Sequence, residues 1–89
     1  DFRIEGDTNS SLFFVDASTD RVGIGTTNPI KNLNINAVDP TIRLEDTRVG
    51  NKRLELSIDG STAVGKVFAT QSATQLALGT ASVERMRNR

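Results

Sequence analysis

Apolar and polar residues alternate along several short runs of this chain. Examples are Val22-Gly23-Ile24-Gly25 and Leu54-Glu55-Leu56-Ser57-Ile58. Side chains two residues apart lie on one face of a β-strand, whereas a helix needs spacings of three and four. No stretch of eleven residues or more shows the helical spacing convincingly. The sequence therefore predicts an all-β chain made of short strands.

Turn residues separate these runs. Asp16 to Asp20 form a short polar segment between two apolar runs, which indicates a tight connection. Pro29 and Pro40 stop strands because proline has no N–H for a ladder. Gly50-Asn51 and Asp59-Gly60 are hairpin signals, and the second pair favours a two-residue type I′ turn. Short strands at intervals of about ten residues predict a sandwich, a barrel or a β-prism.

The composition excludes several classes of function. The chain has 89 residues, with 11 Lys and Arg against 11 Asp and Glu, and neither Cys nor His. Disulfides, thiolate or imidazole metal sites and Ser-His-Asp or Cys-His catalysis are therefore ruled out within this sequence. The balanced charge gives no general attraction to nucleic acid or to an anionic membrane. We expect no catalytic residue, no cofactor, no metal site, no nucleic-acid partner and no membrane insertion. A calcium ion on the turn carboxylates is the alternative for a metal, because hard cations need only oxygen ligands.

The apolar stripes are narrow, and hydrophobic residues make up only 36% of the chain, without Trp or Tyr. A small chain that lacks disulfides and metals is commonly stabilised by oligomerisation. Three copies around a common axis would bring the stripes together at the centre, and a marginally stable monomer is the alternative. The predicted trimer core consists of Ile4, Phe13, Val22, Ile24, Leu33, Ile35, Ile42, Leu44, Leu54, Leu56, Ile58, Leu76, Leu78 and Met86.

Three aromatic side chains and one methionine bear on this core. Phe13 and Phe14 are adjacent, so they point to opposite faces of a strand. One of them enters a core and the other needs a partner surface, which a neighbouring subunit would supply. A strand buried entirely within one chain is the alternative. We expect Phe68 and Met86 to pack in the interface between chains.

Residues 13–21 form a predicted strand and turn, and they are followed by Val22-Gly23-Ile24-Gly25-Thr26-Thr27-Asn28-Pro29. This segment resembles one that recurs in bacteriophage tail-fibre and tail-spike proteins, notably of marine and environmental phages. Residues 1–7 resemble the lead-in to that segment, and residues 40–47 resemble the module that follows it. Residues 83–87 look like the strand that precedes the next copy. The resemblance implies one fibre module over residues 1–89, a fragment of a longer fibre. It has a lead-in at 1–29 and a following β repeat unit at 30–89.

The same resemblance implies an intertwined homotrimer of the β-prism or triple-β-helix kind. Its function would be that of a structural shaft in the virion tail fibre, which positions host-receptor binding. The implied partners are two further copies, neighbouring modules of the same fibre, and a host cell-surface glycan or protein receptor. A receptor- or glycan-binding module at the fibre tip is the main alternative. A fragment of a polysaccharide depolymerase is a weaker alternative.

The two glycines of this motif also allow a phosphate-binding interpretation. A dinucleotide fingerprint needs a third glycine and a following helix. Here Pro29 and another strand follow. We therefore expect Gly23 and Gly25 to serve the backbone, because glycine permits close approach at a crowded strand crossing.

Overall fold

The computed structural model describes residues 1–70, 74–81 and, as backbone, 84–87. Within these ranges the chain forms strands in three sheets and two compact units, Asp1–Pro40 (unit 1) and Thr41–Arg89 (unit 2). The strands are β1 (Phe2–Ile4), β2 (Phe13–Asp16), β3 (Arg21–Ile24), β4 (Leu33–Ile35), β5 (Thr41–Asp46), β6 (Lys52–Asp59), β7 (Val64–Ala69), β8 (Ala77–Gly79) and β9 (Glu84–Arg87).

The predicted all-β class is confirmed, because the described residues contain strands and turns and no helix. It follows that no helix in this part of the chain is long and apolar enough to cross a membrane. The two units divide at Pro40. The physical reason is that β4 pairs with β3 and so belongs to the first sheet.

Unit 1 is a four-stranded sheet in the order β1-β2-β3-β4. The first three strands are antiparallel, whereas β4 runs parallel to β3. A parallel connection commonly takes a dozen residues or more and contains a helix. Here residues 25–32 make it without one. The backbone N–H of Val22 donates to the carbonyl of Asn32 at 2.8 Å, and that of Asn36 donates to Ile24 at 2.8 Å, which fixes β4 beside β3.

Unit 2 contains a three-stranded antiparallel meander in the order β5-β6-β7. Ile42 pairs with Leu56 and Leu44 with Leu54 across β5 and β6, and Leu56 pairs with Val67 across β6 and β7. The register therefore aligns the apolar positions of the three strands on one side of the sheet. A separate hairpin pairs β8 with β9, with an irregularity at Leu78 and Gly79.

Two hairpin loops have the same local structure. Asp16 is the last residue of β2, before the loop to β3, and Asp59 is the last residue of β6, before the loop to β7. In each loop the aspartate Oδ1 accepts a backbone N–H and a hydroxyl from the serine two residues later, at 3.0 and 2.7 Å for Ser18 and at 3.1 and 2.8 Å for Ser61. The hydrogen bond from the serine hydroxyl has the largest effect on the aspartate. Together with the bond from the serine N–H, it holds the pKa of each aspartate below its ordinary value.

The prediction of a two-residue turn at Asp59-Gly60 is wrong, because the connection is a four-residue loop over residues 60–63. The Asp59 carboxylate binds Ser61 and so favours the longer loop. The last loop residue takes the left-handed conformation in both hairpins, with φ 59° at Asp20 and φ 59° at Ala63. Aspartate tolerates that region better than alanine does.

We expect Ala63→Gly to stabilise unit 2. The left-handed conformation costs roughly 1–2 kcal/mol for a residue with a Cβ, and glycine removes that cost. Glycine loses part of this gain, about 0.4–1 kcal/mol, because its unfolded chain has more conformational freedom. The expected net gain is about 0.5 kcal/mol, measured as the free energy of unfolding in urea. Ala17→Gly is the matched control, because Ala17 lies in the equivalent hairpin and is not among the residues with positive φ. That control should be neutral or slightly destabilising, and equal gains in the two variants would contradict this account.

Candidate functional site

Unit 1 presents one apolar sheet face, which we call the first apolar face. The register places Ile4 beside Phe13, Val15 beside Val22, and Ile24 beside Ile35. The rings of Phe2 and Phe13 meet edge to face on it, with centroids 6.5 Å apart. Its residues are Phe2, Ile4, Phe13, Val15, Val22, Ile24, Leu33 and Ile35. Every one of these residues is partly or largely exposed in the single chain.

The opposite side of the same sheet is covered by the chain itself. Phe14 and Pro29 are the buried apolar side chains among the described residues, and Pro29 is less than 2% exposed. The guanidinium of Arg21 donates to the carbonyl of Pro29 at 3.2 Å, and the backbone N–H of Ile30 donates to Asn34 Oδ1 at 3.1 Å. Residues 25–32 are thereby held in place. Of Phe13 and Phe14, it is Phe14 that enters the unit's own core.

The glycines of the Val-Gly-Ile-Gly motif are needed for this covering. A Cβ on Gly23 would lie 2.5 Å from the carbonyl oxygen of Thr26. A Cβ on Gly25 would overlap the carbonyl oxygen of Asn36, and Gly25 has φ 83°. Its N–H donates to the carbonyl of Ser11 at 2.9 Å. Both glycines allow close backbone approach, as the sequence predicts, and the helix that a dinucleotide fingerprint requires does not follow them.

Unit 2 presents a second apolar face on one side of its meander. It consists of Ile42, Leu44, Leu54, Leu56, Ile58, Val67 and Ala69. Leu44 is 67% exposed and Leu56 is 55% exposed, although both lie within a regular sheet. An open hollow of about 300 Å³ lies between Ile42, Leu54 and Val67. This face is therefore formed but not covered by the sheet that carries it.

The other side of the meander is a charged face, formed by Arg43, Glu45, Arg53, Glu55, Ser57, Lys66 and Phe68. Arg43 pairs with Glu55 at 2.7 Å, and Arg53 pairs with Glu45 at 3.0 Å. Arg43 also lies 3.8 Å from Glu45, which joins the two pairs. Pairs of this kind between exposed side chains are each worth about 0.2–1 kcal/mol. The charged face is thus suited to contact with water.

Phe68 lies on the charged face and not on the second apolar face. It pairs with Glu55 in the register and so belongs to the charged face, with Lys66 Nζ 5.8 Å from its ring centre. Val67 and Phe68 are adjacent apolar residues, and only Val67 lies on the same side of the sheet as Leu54 and Leu56.

Most of the predicted core residues fall on the two apolar faces. Six lie on the first face and five on the second: Ile4, Phe13, Val22, Ile24, Leu33 and Ile35, then Ile42, Leu44, Leu54, Leu56 and Ile58. Leu78 lies on β8, and Leu76 precedes that strand and is partly buried. The backbone of Met86 pairs with Leu78, while its side chain falls outside the described residues.

The predicted core omits four members of these faces. Phe2 lies two residues from Ile4, and Val15 lies two residues from Phe13, so strand alternation places each pair on one face. Val67 and Ala69 lie on β7, where small residues weaken the alternation. The side of the sheet on which they lie follows from the hairpin register, which depends on the loop length.

The acidic side chains of the described residues are dispersed. These residues contain no group of three or more acidic side chains that could hold a metal ion. Asp16 and Asp59 belong to different units, and each carboxylate binds the serine of its own loop. Both therefore have a local structural role in a hairpin.

No protein-family model, curated protein or solved structure matches this chain.

Proposed function

We propose that this chain is a structural module of a phage tail fibre, and that three copies form a shaft that positions host-receptor binding. The observation that supports the proposal is the presence of two apolar sheet faces, one in each unit, that their own sheets leave open. The trimeric arrangement and the phage context also rest on the resemblance of residues 13–29 to tail-fibre segments.

Burial between chains would supply the apolar stabilisation that each unit lacks on its own. A Val, Leu, Ile or Phe side chain contributes on the order of 1.5–3 kcal/mol when it is fully buried. In the single chain, Leu33 is 54% exposed and Leu44 is 67% exposed, so much of this contribution is not yet realised. A contiguous apolar surface of this kind is typical of a protein-protein interface.

The charged face suits the outside of such a shaft. The side chains of Arg43, Glu45, Arg53 and Glu55 alternate in charge and form ion pairs with one another. Charged side chains also discourage sheets from aggregating with one another. Each unit-2 sheet would therefore turn its apolar face to the axis and its charged face to water.

The test is the mass of the chain in solution, measured by multi-angle light scattering across a dilution series. A mass of three chains that is independent of concentration is the expected result. A monomer at every concentration would overturn the proposal, because the apolar faces would then not be buried between chains. A stable dimer would overturn the threefold arrangement but leave association through these faces in place.

A further inference from the structure

The meander of unit 2 has two long and regular edges. Within the described residues, β5 and β7 each pair with β6 only. Both strands are six residues long, neither contains a proline, and the register of each with β6 is continuous. Prolines and bulges are features with which proteins keep an edge strand from pairing with another chain. Both edges lack these two features.

Strand β7 is apolar on both sides of the sheet, although it is an edge strand. Val67 and Ala69 belong to the second apolar face, whereas Val64 and Phe68 lie on the side of the charged face. Val64 is 45% exposed and Phe68 is 52% exposed. On that same side, β5 and β6 carry only polar residues. A nearly continuous apolar run is typical of a strand that is covered on both faces, as in parallel sheets.

The register shows which backbone groups point away from the meander. The backbone N–H of Thr70 donates to the carbonyl of Arg53 at 3.2 Å, so Arg53 turns its backbone groups toward β7. In an antiparallel pair, hydrogen-bonded and non-hydrogen-bonded residues alternate, so the next residue of β6 turns its groups toward β5. Continued through the register, this alternation gives the outward N–H groups of both edges. They belong to Arg43 and Glu45 on β5, and to Gly65, Val67 and Ala69 on β7.

The outward groups of the two edges are complementary for a parallel pair. In such a pair a residue bonds to the two residues that flank its neighbour, and their side chains lie on the opposite face. The outward groups of β5 belong to the charged face, as at Arg43, and those of β7 belong to the apolar side, as at Val67. Strands β5 and β7 are parallel within one chain, because each is antiparallel to β6. The β7 edge of one copy therefore matches the β5 edge of another, with both faces continuous.

We propose that β7 of each copy pairs in parallel with β5 of the next copy, so that three meanders of three strands close into a nine-stranded barrel. The inference rests on the proposed trimer and adds hydrogen-bonded junctions, which packing of the apolar faces alone does not require. Contacts between two unlike surfaces form a closed ring when the rotation between copies closes. A barrel of about eight strands has an interior that side chains just fill. The second apolar faces of three copies would fill this one, and no sheet edge would remain in it.

The junction also accounts for the position of Phe68. Its ring lies on an edge strand, on the side where β5 of the next copy would present Arg43 and Glu45. The aliphatic stem of an arginine covers apolar surface while its charge stays in water. Lys66 of β7 would meet one side chain of each sign there. A trimer held by its apolar faces alone would leave Phe68 half exposed on the outside.

Amide hydrogen exchange of the natural chain, followed by NMR, tests the junction directly. In the barrel, the outward amides of Arg43 and Val67 should exchange at least about a hundredfold more slowly than in an unstructured chain, because they are hydrogen-bonded. In a trimer held by faces alone, these two amides would exchange rapidly. The inward amides of Lys66 and Phe68 are the internal control, because β6 protects them in both arrangements.

Phe68→Ser tests the junction through the strength of association. We expect the variant to associate about tenfold more weakly or worse than the natural chain in light scattering, because a ring is buried at each junction. The ring is already half exposed in the single chain, so the β signal in circular dichroism should be unchanged. Phe68→Leu is the matched control, because it keeps an apolar side chain and should associate within about threefold of the natural chain. Association of Phe68→Ser equal to that of the natural chain would contradict the junction.

The outcomes separate this inference from the proposed function. A stable trimer whose outward amides exchange rapidly would overturn the junctions and leave the trimeric module in place. A dimer with protected outward amides on β7 and unprotected ones on β5 would show that β7 pairs with itself, and it would overturn the closed barrel. A natural chain that stays monomeric at every concentration would overturn the proposed function as well.

Discussion

Gly25→Ala is expected to unfold unit 1. The added Cβ would overlap the carbonyl oxygen of Asn36, and the residue would have to hold φ 83°. The left-handed conformation costs roughly 1–2 kcal/mol for a residue with a Cβ, and the overlap adds about 1–3 kcal/mol. The sum is comparable with the whole stability of a unit of this size, about 2–6 kcal/mol at typical values per residue.

Two further substitutions separate the two causes. Gly50 has φ 95°, but the nearest atom to its added Cβ is Lys52 Nζ at 3.6 Å, so Gly50→Ala tests backbone conformation alone. Gly23→Ala tests the close contact alone, because Gly23 is not among the residues with positive φ. Amide NMR spectra report each unit separately. Loss of the unit 1 signals in Gly25→Ala, with unit 2 signals kept, is the expected result. A fully folded unit 1 would contradict the structural role assigned to the motif.

Leu56→Asp is expected to dissociate the proposed trimer without unfolding the chain. Leu56 is already 55% exposed in the single chain, so an aspartate there costs an isolated unit little. In the proposed trimer, three carboxylates would be buried near the axis, and each unpaired buried charge costs several kcal/mol. We expect association to weaken by at least about a thousandfold, which corresponds to roughly 4 kcal/mol.

Ser57→Asp is the matched control for this change. It introduces the same charge at the next residue of the same strand, but on the charged face and opposite Lys66. Its mass in light scattering should equal that of the natural chain. Circular dichroism should show an unchanged β signal in both variants. A trimer that persists in Leu56→Asp would exclude the second apolar face from the interface.

Period-two alternation predicts much of this fold from the sequence. The spacing of Ile42 and Leu44, and of Leu54 and Leu56, fixes which side chains share a face before any pairing is known. The same reasoning does not decide which face Phe68 occupies, because Val67 and Phe68 are adjacent apolar residues on β7. The hairpin loop then settles it, and that loop is longer than the Asp-Gly pair indicates.

The parallel pairing of β4 could not be predicted in this way. A connection of residues 25–32 is short for a crossover, and it works here because Gly23 and Gly25 let the backbone pass closely. Pro29 signals a strand end in the sequence, and the structure buries it as well. These contacts lie between backbone segments, so hydrophobic periodicity contains no information about them.

The parallel pair β3–β4 also determines how unit 1 would bear tension along the chain. In four antiparallel strands, the chain would enter and leave at the same end, and a pull on its ends would peel the hydrogen bonds apart one at a time. Because β4 runs parallel to β3, the chain enters at the start of β1 and leaves at the opposite end of the sheet. The three strands of β5-β6-β7 likewise separate entry from exit. A force along either sheet therefore acts in shear and loads its hydrogen bonds together.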